Sequence, residues 1–160
     1  MMTEFDLNNV LSKINKSWSV LSSKPIDFEM VNGNIKPDDM SYHFAIPVYF
    51  AEGEPMAAVA LEISKAHAIN LSVALYGLDA KELSEDEILD VCCEMCNVFS
   101  ANVCNFFSSG KEGSITLPNN VSSEVFLYIF NGSNLNCYFQ AENEDGKIVI
   151  YMFDPCNYYN

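Results

Sequence analysis

No arginine occurs anywhere in the 160 residues; the eight basic residues are all lysine, set against 22 acidic ones for a formal net charge of −14. A guanidinium cluster for holding phosphate is therefore excluded outright. Nucleic-acid partners are disfavoured as well, because their recognition rests on basic patches rich in arginine. So acidic a body is also repelled by an anionic membrane surface. No apolar run approaches the length of a membrane span. The N-terminus lacks the basic, then apolar, then small-residue order of a secretory signal. Cysteine is present, but not in a disulfide framework: of Cys92, Cys93, Cys96, Cys104, Cys137 and Cys156, four crowd into one predicted helix. The expectation is a cytoplasmic protein with reduced thiols, without nucleic acid and without membrane insertion.

What is present is an apolar content of 49%, which is globular and long enough for one domain over residues 1–160 with a sizeable core. Val10, Ile14, Trp18 and Leu21 recur at helical spacing behind Asp6, a candidate cap, and Lys24-Pro25 ends that helix. Strands are predicted over 26–30, 43–50 and 56–63, with Pro47 marking an edge or a bulge. Ser64 is placed to cap a helix over 65–76 with Ile69, Val73 and Tyr76 inward and Gly77 as its stop. Ser84-x-x-Glu87 is a capping box for a second long helix running to about Phe107, where Ser108, Ser109 and Gly110 stop it. Strands follow over 115–117, 124–130, 135–142 and 147–153, with Asn131-Gly132 and Asp145-Gly146 as hairpin turns. The fold class is α/β (α+β), a mainly antiparallel sheet of about six strands packed with long helices.

The second long helix carries the most informative pattern. At about 100° per residue, Ile88, Cys92, Met95, Phe99, Val103 and Phe106 share an apolar face. Asp90, Glu94, Asn97 and Ala101 fall on the opposite one, with Glu94 and Asn97 about 4.5 Å apart along the axis. Asparagine is a poor mid-helix residue, so helix stability does not account for Asn97. By spacing alone, Glu94 and Asn97 read as two polar residues on a solvated face, since short motifs recur by chance.

Asp90-Val-Cys-Cys-Glu94-Met-Cys-Asn97 followed by Pro118 resembles the signature of the CheC, FliY and CheX phosphatases of bacterial chemotaxis. The stretch 56–78 resembles the strand and helix before that family's catalytic helix, and Ile115 to Pro118 the strand after it. The likeness is clearest over residues 40–155. A single Glu-x2-Asn pair makes the chain similar to CheX rather than to CheC, which has two. The gap from Asn97 to Pro118 is slightly short, and Ala101 stands where many members have glycine; both bear on the contact surface. The resemblance implies hydrolysis of the aspartyl phosphate of a CheY-type receiver domain, with Asn97 orienting the water and Glu94 pairing with the receiver's active-site lysine. Asp90, Ala101 and Pro118 would serve docking. It also implies a Mg²⁺ that belongs to the receiver, with no cofactor or metal of this chain's own, and a homodimer paired through sheet edges. The alternative is a module of the same fold that binds a receiver or flagellar partner without turnover.

Cys93-x-x-Cys96 with Cys92 and Cys104 invites a zinc or redox reading, but the helix turns these thiols to different sides and no histidine lies close in sequence. Core or half-exposed thiols are the better account. His43 and His67 are expected to be structural, since no nucleophile–histidine arrangement is evident. The aromatic residues Tyr151, Phe153, Tyr158 and Tyr159 fit sheet packing better than base stacking.

Overall fold

A computed structural model describes residues 4–49, 55–104, 114–115, 119–132 and 135–153. The element order is α1 (Glu4–Ser22), β1 (Glu29–Val31), β2 (Tyr42–Tyr49), β3 (Pro55–Ile63), α2 (Lys65–Tyr76), a 3-10 turn (Ala80–Glu82), α3 (Glu85–Cys104), β4 (Ser114–Ile115), β5 (Asn119–Val121), α4 (Ser123–Gly132), β6 (Leu135–Asn143) and β7 (Gly146–Phe153). The described strands form one seven-stranded sheet in the order β1-β6-β7-β3-β2-β4, with β5 also on β2, and every pairing is antiparallel.

Strand alternation divides the sheet into two faces. Phe44, Ile46, Val59, Leu61, Ile63, Ile148, Ile150 and Met152 point to one, where they meet Val10, Ile14 and Trp18 of α1, Leu71 of α2 and the apolar stripe of α3. Ala60, Tyr138, Val149, Tyr151 and Phe153 point to the other, where Phe126 of α4 closes a smaller core. The sheet is thus sandwiched between three helices and one. Pro47 pairs with Ala58 on β3, and on the outer side of β2 it falls between the stretch paired with β5 and the stretch paired with β4. A register shift at Val48/Tyr49 follows it, so the residue that cannot donate to a ladder stands where the described ladder is interrupted.

The caps of α2 sit where the sequence places them. Ser64 Oγ accepts from the His67 amide at 3.2 Å and donates to the Asp145 carbonyl at 2.8 Å. Gly77, at φ +68°, ends the helix by donating its amide to the Val73 carbonyl. Gly146 is needed twice over: its φ is +110°, and a Cβ there would come within 2.8 Å of the Ser64 Cβ.

Five expectations are corrected. Residues 124–130 form α4, not a strand. Their β-prone composition is overridden because Ser122 caps a helix, accepting the Val125 amide on its Oγ and the Phe126 amide on its carbonyl. The four-residue step then lays Phe126 against Tyr151 (5.3 Å between rings) and Phe130 against Phe153 (6.2 Å). Asn131-Gly132 consequently ends this helix instead of turning a hairpin. In α2 the buried side chains are His67, Ala68, Leu71 and Ser72, whereas Tyr76 is exposed and Ile69 and Val73 only half-buried. Asp6 lies inside α1, not at its cap, and the first strand is 29–31, not 26–30. Phe106, the stop at Ser108 to Gly110, Tyr158 and Tyr159 lie outside the described residues.

The second face also buries polar side chains. His43 Nε2 and Glu62 Oε1 are 2.9 Å apart, both groups being about 1% exposed, and the same oxygen accepts the Asp38 amide at 2.9 Å. His43 stacks on Phe126 at 4.2 Å. The buried Tyr151 hydroxyl makes no hydrogen bond of ordinary geometry among the described residues but lies beside Glu62; burial first, then the Glu62 carboxylate, raise its pKa well above the ordinary value. Removing one member of a buried pair strands the other. Glu62→Ala is expected to cost about 3–5 kcal/mol of stability in guanidinium unfolding; a loss below about 1 kcal/mol would show that this pair does not fix α4.

Candidate functional site

Helix α3 opens as the sequence prescribes. Ser84 Oγ accepts the Glu87 amide at 3.2 Å while Glu87 Oε1 accepts the Ser84 amide at 3.0 Å, which completes the capping box. Glu85, Asp86 and Glu87 in the first turn face the positive end of the helix dipole. The helix then buries Ile88, Val91, Cys92, Met95, Cys96, Phe99 and Val103 in the main core. Ser100, fully buried, satisfies its hydroxyl by donating to the Cys96 carbonyl at 2.7 Å. Asn102, which no sequence pattern singles out, donates to Ser17 Oγ of α1 at 2.9 Å and braces α3 against that helix.

With one face committed, the other is outward. Asp90, Glu94 and Ala101 are exposed and Asn97 is half-buried, so all four fall on one helical strip. Pro118 lies outside the described residues. Among the described residues the one ion pair is His43 with Glu62; Asp90 and Glu94 are accordingly in none. Their charges are nonetheless felt locally. Burial first, then Asp90 and Glu94, raise the pKa of the half-buried Cys93. The strip thus presents uncompensated negative charge beside a carboxamide that both donates and accepts.

Among the described residues the cysteines do not form a second site. Cys92 and Cys96 are buried and reduced, and burial pushes both thiols up to about 12, with a hydrogen bond to Ser100 opposing the shift at Cys96. A nucleophilic or metal-binding thiol needs the reverse shift. No group of three or more histidine, cysteine or acidic side chains suited to a metal occurs among the described residues. Nor is any helix among them long and apolar enough to cross a membrane. His67 is buried, with Nε2 3.1 Å from the Gly146 carbonyl, and its role is to tie α2 to the β6–β7 hairpin.

The raised thiols make a testable pH statement. Both pKa values are higher in the folded chain than the ordinary value of about 9, so the folded state holds its protons more tightly. That contribution is complete below pH 9 and is lost as the pH climbs towards 12. The expected result is a unfolding midpoint that declines over this range, less steeply in a Cys92→Ala/Cys96→Ala variant. Iodoacetamide at pH 8 should label Cys93 before Cys92 or Cys96; equal labelling of all three in folded protein would contradict the assigned burial.

No family model matches the sequence, and no curated protein does. Solved structures do. A CheC-like superfamily protein from Shewanella sp. PV-4 superposes with a TM-score of 0.67 at 13% identity, covering 95% of this chain and 98% of its own. The chemotaxis protein CheX from Vibrio vulnificus gives 0.64 at 15% identity, over 94% and 99% of the two chains. A structure of the CheX–CheY–BeF3–Mg²⁺ complex from Borrelia burgdorferi gives 0.64 at 14% identity, over 92% and 95%. Coverage is nearly complete on both sides, so the likeness extends to the whole arrangement of helices and sheet. This chain has the CheC/CheX fold.

Proposed function

We propose that this chain is a phosphatase for the aspartyl phosphate of a CheY-type receiver domain, with α3 as the element that enters the receiver's active site. The observation that supports this most is the outward strip itself: a carboxylate without an ionic partner among the described residues and a carboxamide, one turn apart, held on a helix whose opposite face is fully buried. The fold is shared with a CheX solved together with CheY, Mg²⁺ and BeF3, the last a tetrahedral stand-in for a phosphoryl group.

The chemistry asks little of the protein. An acyl phosphate is already activated and phosphoryl transfer passes through a loose transition state, so a placed water matters more than a strong base. Asn97 accepts a hydrogen bond from that water and directs its lone pair at phosphorus in line with the aspartyl oxygen. The water oxygen bonds to phosphorus, the P–O bond to the aspartate breaks, and the aspartate carboxylate keeps the electron pair. The water's proton leaves with inorganic phosphate or solvent. Glu94 pairs with the receiver's lysine as a charge-assisted hydrogen bond and fixes the helix in register. Mg²⁺ is supplied by the receiver. Asp90 and Ala101 border the pair and serve docking.

The test is the decay of phosphorylated receiver in the presence of variants. Asn97→Ala is expected to lower kcat on the order of 10²-fold with little change in KM. Glu94→Ala is expected to lower kcat/KM by about 10- to 100-fold, the weight of a charged hydrogen bond. An Asn97→Ala variant that retains full turnover would overturn the assignment of the water-orienting residue.

A further inference from the structure

Tyr76 was expected inward and lies outward, and it is not alone. Leu75, Tyr76 and Leu78 are 43%, 44% and 38% exposed. Single exposed apolar residues are ordinary, but these are three large ones within four positions, arranged around the left-handed Gly77 that ends α2. The chain then passes through the 3-10 turn at Ala80–Glu82, which packs on α2, directly into the acidic start of α3. From residue 79 to 94 the sequence has seven acidic side chains and one basic one, Lys81.

Scale connects this patch to the strip. From Glu85 to Glu94 the helix rises about 13.5 Å, and packed helices lie about 8–10 Å apart. With the end of α2 level with Glu85, it is about 16–17 Å from Glu94. An interface of ordinary size buries about 800 Å² on each partner, a disc about 16 Å in radius. A receiver centred on Glu94 and Asn97 with such a footprint meets the end of α2 at its rim.

We infer that Leu75, Tyr76 and Leu78, with the acidic residues beside them, are a second part of the docking surface for the phosphorylated receiver and set which receiver is accepted. The inference rests on the reading of α3 as the receiver-binding helix. The matching surface is an apolar patch flanked by lysine or arginine on the receiver. An acidic, arginine-free chain selects such a partner over a receiver whose corresponding surface is neutral or acidic. Glu94 and Asn97 act on the phosphoryl group common to every receiver; Tyr76 and its neighbours act on what differs between them.

The experiment measures binding as well as turnover. Each receiver of the same genome is titrated as its BeF3–Mg²⁺ complex against the intact chain, Tyr76→Ser/Leu78→Ser, and the control Tyr128→Ser, which alters a side chain 77% exposed on α4 across the sheet. Far-ultraviolet circular dichroism and thermal unfolding confirm that each variant is folded. The expected result is a tenfold or greater rise in Kd and KM for Tyr76→Ser/Leu78→Ser with kcat within about twofold, and no change for Tyr128→Ser. Affinity should also fall with added salt in the intact chain. Unchanged Kd and KM for Tyr76→Ser/Leu78→Ser, alongside loss of turnover in Asn97→Ala, would overturn this inference and leave the phosphatase reading standing. Binding without turnover, weakened by Tyr76→Ser/Leu78→Ser, would do the reverse. Absence of binding to every receiver would overturn both.

Discussion

Everything assigned to this chain depends on the burial of one side of α3. Ile88, Cys92, Met95, Phe99 and Val103 are removed from water against the sheet and the neighbouring helices. Each such side chain contributes about 1.5–3 kcal/mol relative to exposure, so rotating the helix by even one residue position is far more costly than any loss on its outer side. The outward strip therefore has no freedom to turn inward, and packing on the other side alone leaves Asp90 and Glu94 exposed and Asn97 half-buried. The buried Ser100 hydroxyl is satisfied within the helix, and Asn102 fastens it to α1. A rigid helix with a fixed outer face is what in-line placement of a water requires.

The opposite face of the sheet follows a different logic. Its core is aromatic and contains the buried His43–Glu62 pair, the stack of His43 on Phe126, and a Tyr151 hydroxyl beside Glu62. Ser123, at the start of α4, donates to the Asp39 carbonyl at 2.9 Å, so the 32–41 loop and α4 are held together over this face. None of these groups approaches the α3 strip, because β3 alternates: Leu61 and Ile63 support the helices while Glu62 between them faces α4. The buried His43–Glu62 pair is kept on one side of the sheet and α3 on the other.

Much of this was legible in the sequence, and for definite reasons. Helix α3 announces itself by a 3.6-residue apolar period and by a capping box whose two reciprocal hydrogen bonds are present. Ser64 and Gly77 fix α2 because capping chemistry is local. What failed was decided by tertiary contact. Residues 124–130 contain six consecutive apolar side chains, a run that suits a strand or a buried helix equally; the choice was made by Ser122 and by two aromatic contacts with β7, more than twenty residues away. The inward face of α2 was misjudged because His67 reads as polar, yet it is buried through its bond to Gly146, a partner distant in sequence. The pairing of β5 with β2 brings together residues far apart in sequence and left no local signal in three residues.

The chemistry of the strip is legible at the level of residue types and their order, and its partner only through a shared fold. The most direct measurement is the lifetime of phosphate on a receiver from the same genome with this chain present at a small fraction of the receiver's concentration. The account predicts that the chain shortens that lifetime, with many receivers dephosphorylated per molecule of chain. An unaltered lifetime for every receiver tested, with chain shown to be folded, would contradict it and leave α3 as a binding surface without turnover.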